Sequence, residues 1–129
     1  MKIKAFGAFI LLAVTLSLAT VAAADGVNKR LRFAKGKSST VVSGAVVRGD
    51  RDTYTLGAKA GQMMSVKITS VEKNAVFQIQ DSAGNFLTGA DEGDDAMNWS
   101  NELPSTGDYK IIVGGTRGNA SYKLTVSIK

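Results

Sequence analysis

Ala120-Ser121-Tyr122-Lys123-Leu124-Thr125-Val126-Ser127-Ile128-Lys129 closes the chain with the clearest pattern in it. Successive side chains of an extended strand point to opposite sides, so a two-residue apolar period marks one buried face. Tyr122, Leu124, Val126 and Ile128 fall on that face; Lys123, Thr125, Ser127 and Lys129 fall on the other. The same period recurs upstream. Met64, Val66 and Ile68 alternate with Ser65, Lys67 and Thr69. Ala75, Phe77 and Ile79 alternate with Val76, Gln78 and Gln80. Tyr109, Ile111 and Val113 alternate with Lys110, Ile112 and Gly114, and Tyr54 and Leu56 sit among threonines.

Three further strands are predicted from weaker signals. Leu31-Arg32-Phe33 starts the sheet. Val41 to Arg48 is rich in β-branched residues and is broken by a bulge or bend at Ser43-Gly44. Met97, Trp99 and Leu103 mark another. Turn-forming clusters separate these runs at Lys35-Gly36-Lys37, Gly49-Asp50, Ala60-Gly61-Gln62, residues 81–85, 89–95, 104–107 and 114–119. Gly, Asn, Asp and Ser recur there because they tolerate turn backbones or bond to them. Strand-length runs at roughly ten-residue spacing, with no sustained helical period, predict an all-β fold. The expected architecture is an antiparallel β-sandwich or jelly roll of seven or eight strands.

The first 24 residues follow a different logic. Lys2 and Lys4 make a positive start, residues 5–19 are almost wholly apolar, and Val21-Ala22-Ala23-Ala24 ends the run with small residues before Asp25. These are the three parts of a secretory signal peptide. The apolar run, about 15 residues, falls short of the ~20 that span a bilayer. The expected domains are therefore a leader, 1–24, and one β-sandwich, 25–129, released into the periplasm with no membrane attachment after cleavage. Of the 16 basic residues, 14 remain after cleavage against 11 acids, a formal net charge of +3.

The chain has no cysteine and no histidine. No disulfide framework or thiolate metal site is available, and the commonest general base is missing. Nucleophile–histidine catalysis is excluded, as are histidine-based zinc sites. A carboxylate pair could still hydrolyse a glycoside, but the general acid needs a raised pKa, usually through burial. No acid is expected where an apolar strand pattern would bury it. The reading is of a non-enzymatic protein without cofactors.

Other motifs have ordinary explanations. Arg48-Gly49-Asp50 reads as a turn between strands. Asp91, Glu92, Asp94 and Asp95 offer hard oxygen ligands for Ca²⁺ but lack the spacing of an EF-hand loop, so a solvated hairpin tip is the preferred reading. Lys29, Arg30, Arg32, Lys35 and Lys37 form a basic run without interleaved aromatics, so nucleic acid is not an expected partner.

Longer segments carry a resemblance. Residues 49–56 run through Ala58-Lys59-Ala60-Gly61-Gln62 into residues 64–68. Asp81-Ser82-Ala83-Gly84-Asn85, then residues 103–113 and 120–126, follow. This order resembles bacterial pre-peptidase C-terminal domains, which are β-sandwiches. Arg32 to Ser39, Ser43-Gly44, Asp52 to Thr55, the Leu-Pro-x-x-Gly-x-Tyr segment at Leu103 to Tyr109, and Thr116-Arg117 together resemble the periplasmic inhibitors of goose-type (g-type) lysozyme. The resemblance implies a protein partner, a g-type lysozyme, whose cleft is blocked by surface loops. Inhibitors of several types carry Ser-Gly-x-Tyr in the inserting loop; here it reads Thr106-Gly107-Asp108-Tyr109. The implied contact residues are Arg117, Thr106 and Tyr109. Without the resemblance, a module binding cell-wall glycan or another polymer stays open, and the oligomeric state is not legible.

Cleavage after Ala24 predicts a mature protein starting at Asp25. Intact-mass measurement on a periplasmic extract checks it; a chain retaining Met1 to Ala24 would refute it.

Overall fold

The computed structural model describes residues 26–129, so the leader and the cleavage point lie outside the described residues. Eight strands form: β1 (Asn28–Arg30), β2 (Ser39–Val46), β3 (Asp52–Ala58), β4 (Met63–Thr69), β5 (Ala75–Gln80), β6 (Asn98–Glu102), β7 (Gly107–Gly115) and β8 (Ala120–Ile128). They make two four-stranded sheets, β1-β3-β7-β5 and β2-β8-β4-β6. The all-β sandwich is as expected. Among the described residues no helix is long and apolar enough to cross a membrane.

The alternating residues supply the core. Tyr54, Leu56, Phe77, Ile79, Tyr109, Ile111 and Val113 face inward from one sheet; Met64, Val66, Ile68, Tyr122, Leu124, Val126 and Ile128 face them from the other. Facing apolar sides of two twisted sheets bury each other with little backbone left unpaired, which is why the period of two suffices to specify the layers.

Two expected strands differ in detail. At the N-terminus the strand is Asn28–Arg30, and Leu31 instead turns into the core. This strand pairs parallel with β3, an exception in an otherwise antiparallel molecule. Asp52 explains the parallel entry: its Oδ1 accepts from the Val27 backbone N–H at 2.9 Å, fixing the chain beside the start of β3. The second difference is β2, which pairs with β8 without interruption from Ser39↔Ser127 to Val46↔Ala120, so no bulge exists at Ser43-Gly44. Gly44 lies opposite Tyr122, and a Cβ there would sit 2.6 Å from the Tyr122 hydroxyl oxygen. The glycine makes room for a ring.

Tyr122 needs that room because it crosses the sandwich. Its hydroxyl donates to Asp52 Oδ2 at 2.7 Å and accepts from the Tyr54 hydroxyl at 2.6 Å. Asp52 is 1% exposed. A buried acid was not expected, yet Asp52 stands two residues before Tyr54, in the same inward register. Burial first, then the neighbouring hydroxyl and carboxylate, hold the Tyr122 phenol far above its ordinary range. Burial also raises Tyr54, against a smaller lowering by its bond to Tyr122.

A phenol whose folded pKa lies above its unfolded value contributes stability below the unfolded pKa and loses it as pH rises toward the folded one. Stability to urea is therefore expected to hold up to about pH 10, the unperturbed tyrosine value, and to fall above it. Tyr122→Phe leaves the buried carboxylate one donor short and is expected to cost about 1–3 kcal/mol at neutral pH, with a smaller alkaline loss. An unchanged alkaline profile in Tyr122→Phe would refute the assignment.

Candidate functional site

The three residues singled out in the sequence lie on one strand, β7, and its flanks. Nine residues at ~3.4 Å each separate its ends by about 30 Å. Thr106 precedes one end and Arg117 follows the other, so the two loops lie at opposite ends of the sandwich.

At the Thr106 end the loop is heavily tied. Tyr109 is fully buried, and its hydroxyl donates to the Ser105 carbonyl at 2.6 Å. The same oxygen accepts from the Ser105 N–H at 3.2 Å. A tyrosine opening a strand and bonding the backbone just upstream is a tyrosine corner, a device that shapes strand crossovers in sandwiches. Leu-Pro-x-x-Gly-x-Tyr thus shapes this end of the fold, and the Tyr109 side chain lies in the core. Thr106 is exposed, but its Oγ1 accepts from the Ala60 N–H at 2.9 Å, pinning the β3–β4 turn. Asp108 is held by Arg30 through two bonds of 2.9 and 3.1 Å. That hydrogen bond draws the Asp108 carboxyl below its usual range and raises the Arg30 guanidinium. The pair is solvent-exposed, so it fixes geometry more than it adds stability.

The Arg117 end is different. Arg117 is exposed on the β7–β8 turn, and its Nη2 donates to the Glu72 carbonyl at 2.8 Å. That is one of the five N–H donors of a guanidinium fork. The turn beneath is anchored from below by Asn74, a polar side chain only 3% exposed. Asn74 Nδ2 donates to the carbonyls of Arg117 and Asn119, at 3.1 and 3.0 Å. The Asn74 carbonyl accepts from the Thr116 N–H at 2.8 Å. Ser70 Oγ accepts from the Asn74 N–H in turn. The neighbouring β2–β3 turn joins in, because the Arg48 N–H donates to Asn119 Oδ1 at 2.7 Å. This end therefore presents Arg48, Lys73 and Arg117 on turns whose backbones are bonded to one another.

Asn74 was not visible in the sequence as a site residue. The signal was its place directly before Ala75, which opens β5, at the close of the Ser70-Val71-Glu72-Lys73 turn; nothing local says that its amide reaches 43 residues onward.

The acidic loop offers no metal centre. Among the described residues no three acidic side chains are grouped to hold an ion. Asp94 Oδ2 instead accepts from the Asp91 N–H at 2.9 Å, and Asp91 Oδ1 from the Glu92 N–H, so these carboxylates close their own turn.

No family model matches the chain. Over 115 residues the chain is 35% identical to the inhibitor of g-type lysozyme of Escherichia coli (strain K12), covering 89% of this chain and 79% of that protein. The chain belongs to the family of g-type lysozyme inhibitors. Solved structures of the family agree. The periplasmic inhibitor of g-type lysozyme from Aeromonas hydrophila superposes with a TM-score of 0.70 at 32% identity, covering 81% of this chain and 98% of that one. Its counterpart from Salmonella Typhimurium gives 0.64 at 26%, covering 81% and 99%. The pre-peptidase C-terminal domain of a Bacillus anthracis collagenase shares the fold alone, at 17% identity and a TM-score of 0.60 over 81% of this chain and 96% of that domain.

In this family member the anchoring amide should matter beyond its own turn. Asn74→Ala is expected to cost about 1–3 kcal/mol, because it removes both hydrogen bonds that the buried amide makes to the turn, and to speed amide exchange at 116–119. Thermal denaturation and hydrogen exchange check it; wild-type protection at 116–119 would refute it.

Proposed function

We propose that this protein is a periplasmic inhibitor of g-type lysozyme that acts by steric occlusion, with the end carrying Arg117 entering the lysozyme cleft. The identity to the Escherichia coli inhibitor, spread over most of both chains, carries the functional reading. The working protein is residues 25–129, one sandwich, with 1–24 as its removed leader. No reaction on the inhibitor is needed, so it is not an enzyme and calls for no cofactor.

The choice of end rests on the geometry above. A contact residue must be exposed, and Arg117 is, whereas Tyr109 is buried and Thr106 has its hydroxyl engaged. An arginine is well suited to a polysaccharide-cleaving cleft, because its planar fork pairs bidentately with a carboxylate. Arginine also recurs among the few residues that dominate interface energies. Pinning by Asn74 and Arg48 orders the turn before binding, so less conformational freedom is lost on association. Basic neighbours Arg48 and Lys73 add attraction toward an acidic cleft, chiefly through faster association.

The test is residual activity of a g-type lysozyme against cell walls. Arg117→Ala is expected to weaken inhibition by ~2 kcal/mol or more, about thirtyfold, with an unchanged melting temperature. Thr106→Ala is expected to inhibit like the parent. The reverse pattern would move the contact to the opposite end, and full inhibition by both would remove both loops. Failure of the parent to inhibit, with retention on purified peptidoglycan, would favour a glycan-binding module instead.

A further inference from the structure

Two open sheets have four edges, and an open edge invites pairing with another chain unless something blunts it. Three of the four edges here are blunted. β1 is only three residues long and carries Lys29 and Arg30. The free side of β5 is covered by the segment that follows it: Phe77 N–H bonds the Ala96 carbonyl, Ile79 N–H the Ala90 carbonyl, and Leu87 N–H the Ile79 carbonyl. β6 is five residues of mostly polar sequence ending at Glu102. The loop before it is tied to it by the Trp99 Nε1 bond to the Thr88 carbonyl, at 2.9 Å.

The fourth edge, β2, has none of these devices. It is eight residues long, Ser-Thr-Val-Val-Ser-Gly-Ala-Val. No charge and no proline occurs from Ser38 to Val47. Its register with β8 is unbroken, so no bulge twists it away. Among the described residues no backbone hydrogen bond reaches it from the side away from β8. Val41 is 56% exposed in the middle of the strand.

We propose that β2 is a self-association edge, to which a second copy of this chain adds its own β2 antiparallel about a two-fold axis. The two β2-β8-β4-β6 sheets would then join into one continuous sheet. The sequence of the strand favours its own copy over a charged partner strand. A two-fold pairing centred on Val42 sets Val42 against Val42, Thr40 against Gly44, Val41 against Ser43 and Ser39 against Ala45. Inward residues then meet inward ones and no charge meets a like charge. Lys37 and Arg48, which bound the strand, fall opposite Val47 and Gly36. Such an interface is isologous and closes at two copies, so it does not propagate into fibres. One strand edge buries far less than the ~1,600 Å² of a standard stable interface, so the dimer is weak and depends on concentration.

The experiment is sedimentation velocity on residues 25–129 from micromolar to millimolar concentration, without lysozyme. The parent is expected to pass from monomer to dimer. Val41→Lys and Ser43→Lys, which bring two ammonium groups together across the axis, are expected to weaken the dimer at least tenfold. Asn85→Lys adds the same charge on a distant turn and is expected to dimerise like the parent. Far-ultraviolet circular dichroism establishes that each variant is folded. A parent that stays monomeric throughout overturns the proposal, as does equal dimerisation of parent, Val41→Lys and Ser43→Lys. Neither result bears on lysozyme inhibition.

Discussion

A carboxylate and two phenols hold the two sheets in one register. Asp52 and Tyr54 come from β3 in one sheet and Tyr122 from β8 in the other, and their hydrogen bonds cross a largely apolar interior. An ionised group in such surroundings is costly unless each of its oxygens is met by a donor. Asp52 meets that condition with one donor from each direction: the Tyr122 hydroxyl at one oxygen and the Val27 N–H at the other. Apolar packing alone tolerates sliding of one layer over another, whereas these bonds are directional and admit one arrangement.

Much else depends on that arrangement. The Val27 bond brings the N-terminal segment alongside β3, producing the one parallel pair among the described residues. The position of Tyr122 demands a residue without a side chain opposite, which is met by Gly44 and keeps the pairing of β2 with β8 unbroken. That continuity leaves the outer edge of β2 regular. A single buried polar cluster thus reaches the start of the chain, the shape of an edge strand and the alignment of the sheets.

The contrast between the two ends of the molecule bears on function. Both ends have turns fixed by hydrogen bonds, but the bonds do different work. At the Thr106 end the side chains themselves are consumed: Tyr109 bonds Ser105, Thr106 bonds Ala60, and Asp108 bonds Arg30. At the Arg117 end the backbone is fixed by Asn74 from beneath, while the charged side chains stand outward. Arg117 spends one donor on the Glu72 carbonyl and keeps the rest of its guanidinium fork exposed, and a turn whose backbone is already fixed loses less on binding. The chain's relatives are named as inhibitors of g-type lysozyme, and the geometry suits a protein that blocks rather than reacts.

The period-two runs ending in Tyr122, Leu124, Val126 and Ile128 determined the fold class, five of the strands and most of the side chains that form the core. They could do so because the alternation of a strand is a local property, readable from neighbours. Family membership was legible for the same reason, in short motifs such as Leu103 to Tyr109 and Thr116-Arg117. Three matters were decided only by the tertiary structure. Asp52 was in an inward register, but its tolerance there depended on a phenol 70 residues away. Tyr109 stood in register with Ile111 and Val113, but its bond to the Ser105 carbonyl was not readable from that register. Asn74 became an anchor of the Arg117 turn only when β5 and β7 were laid side by side. Each depends on a partner distant in sequence, and no local pattern encodes where a directional hydrogen bond will find its other half.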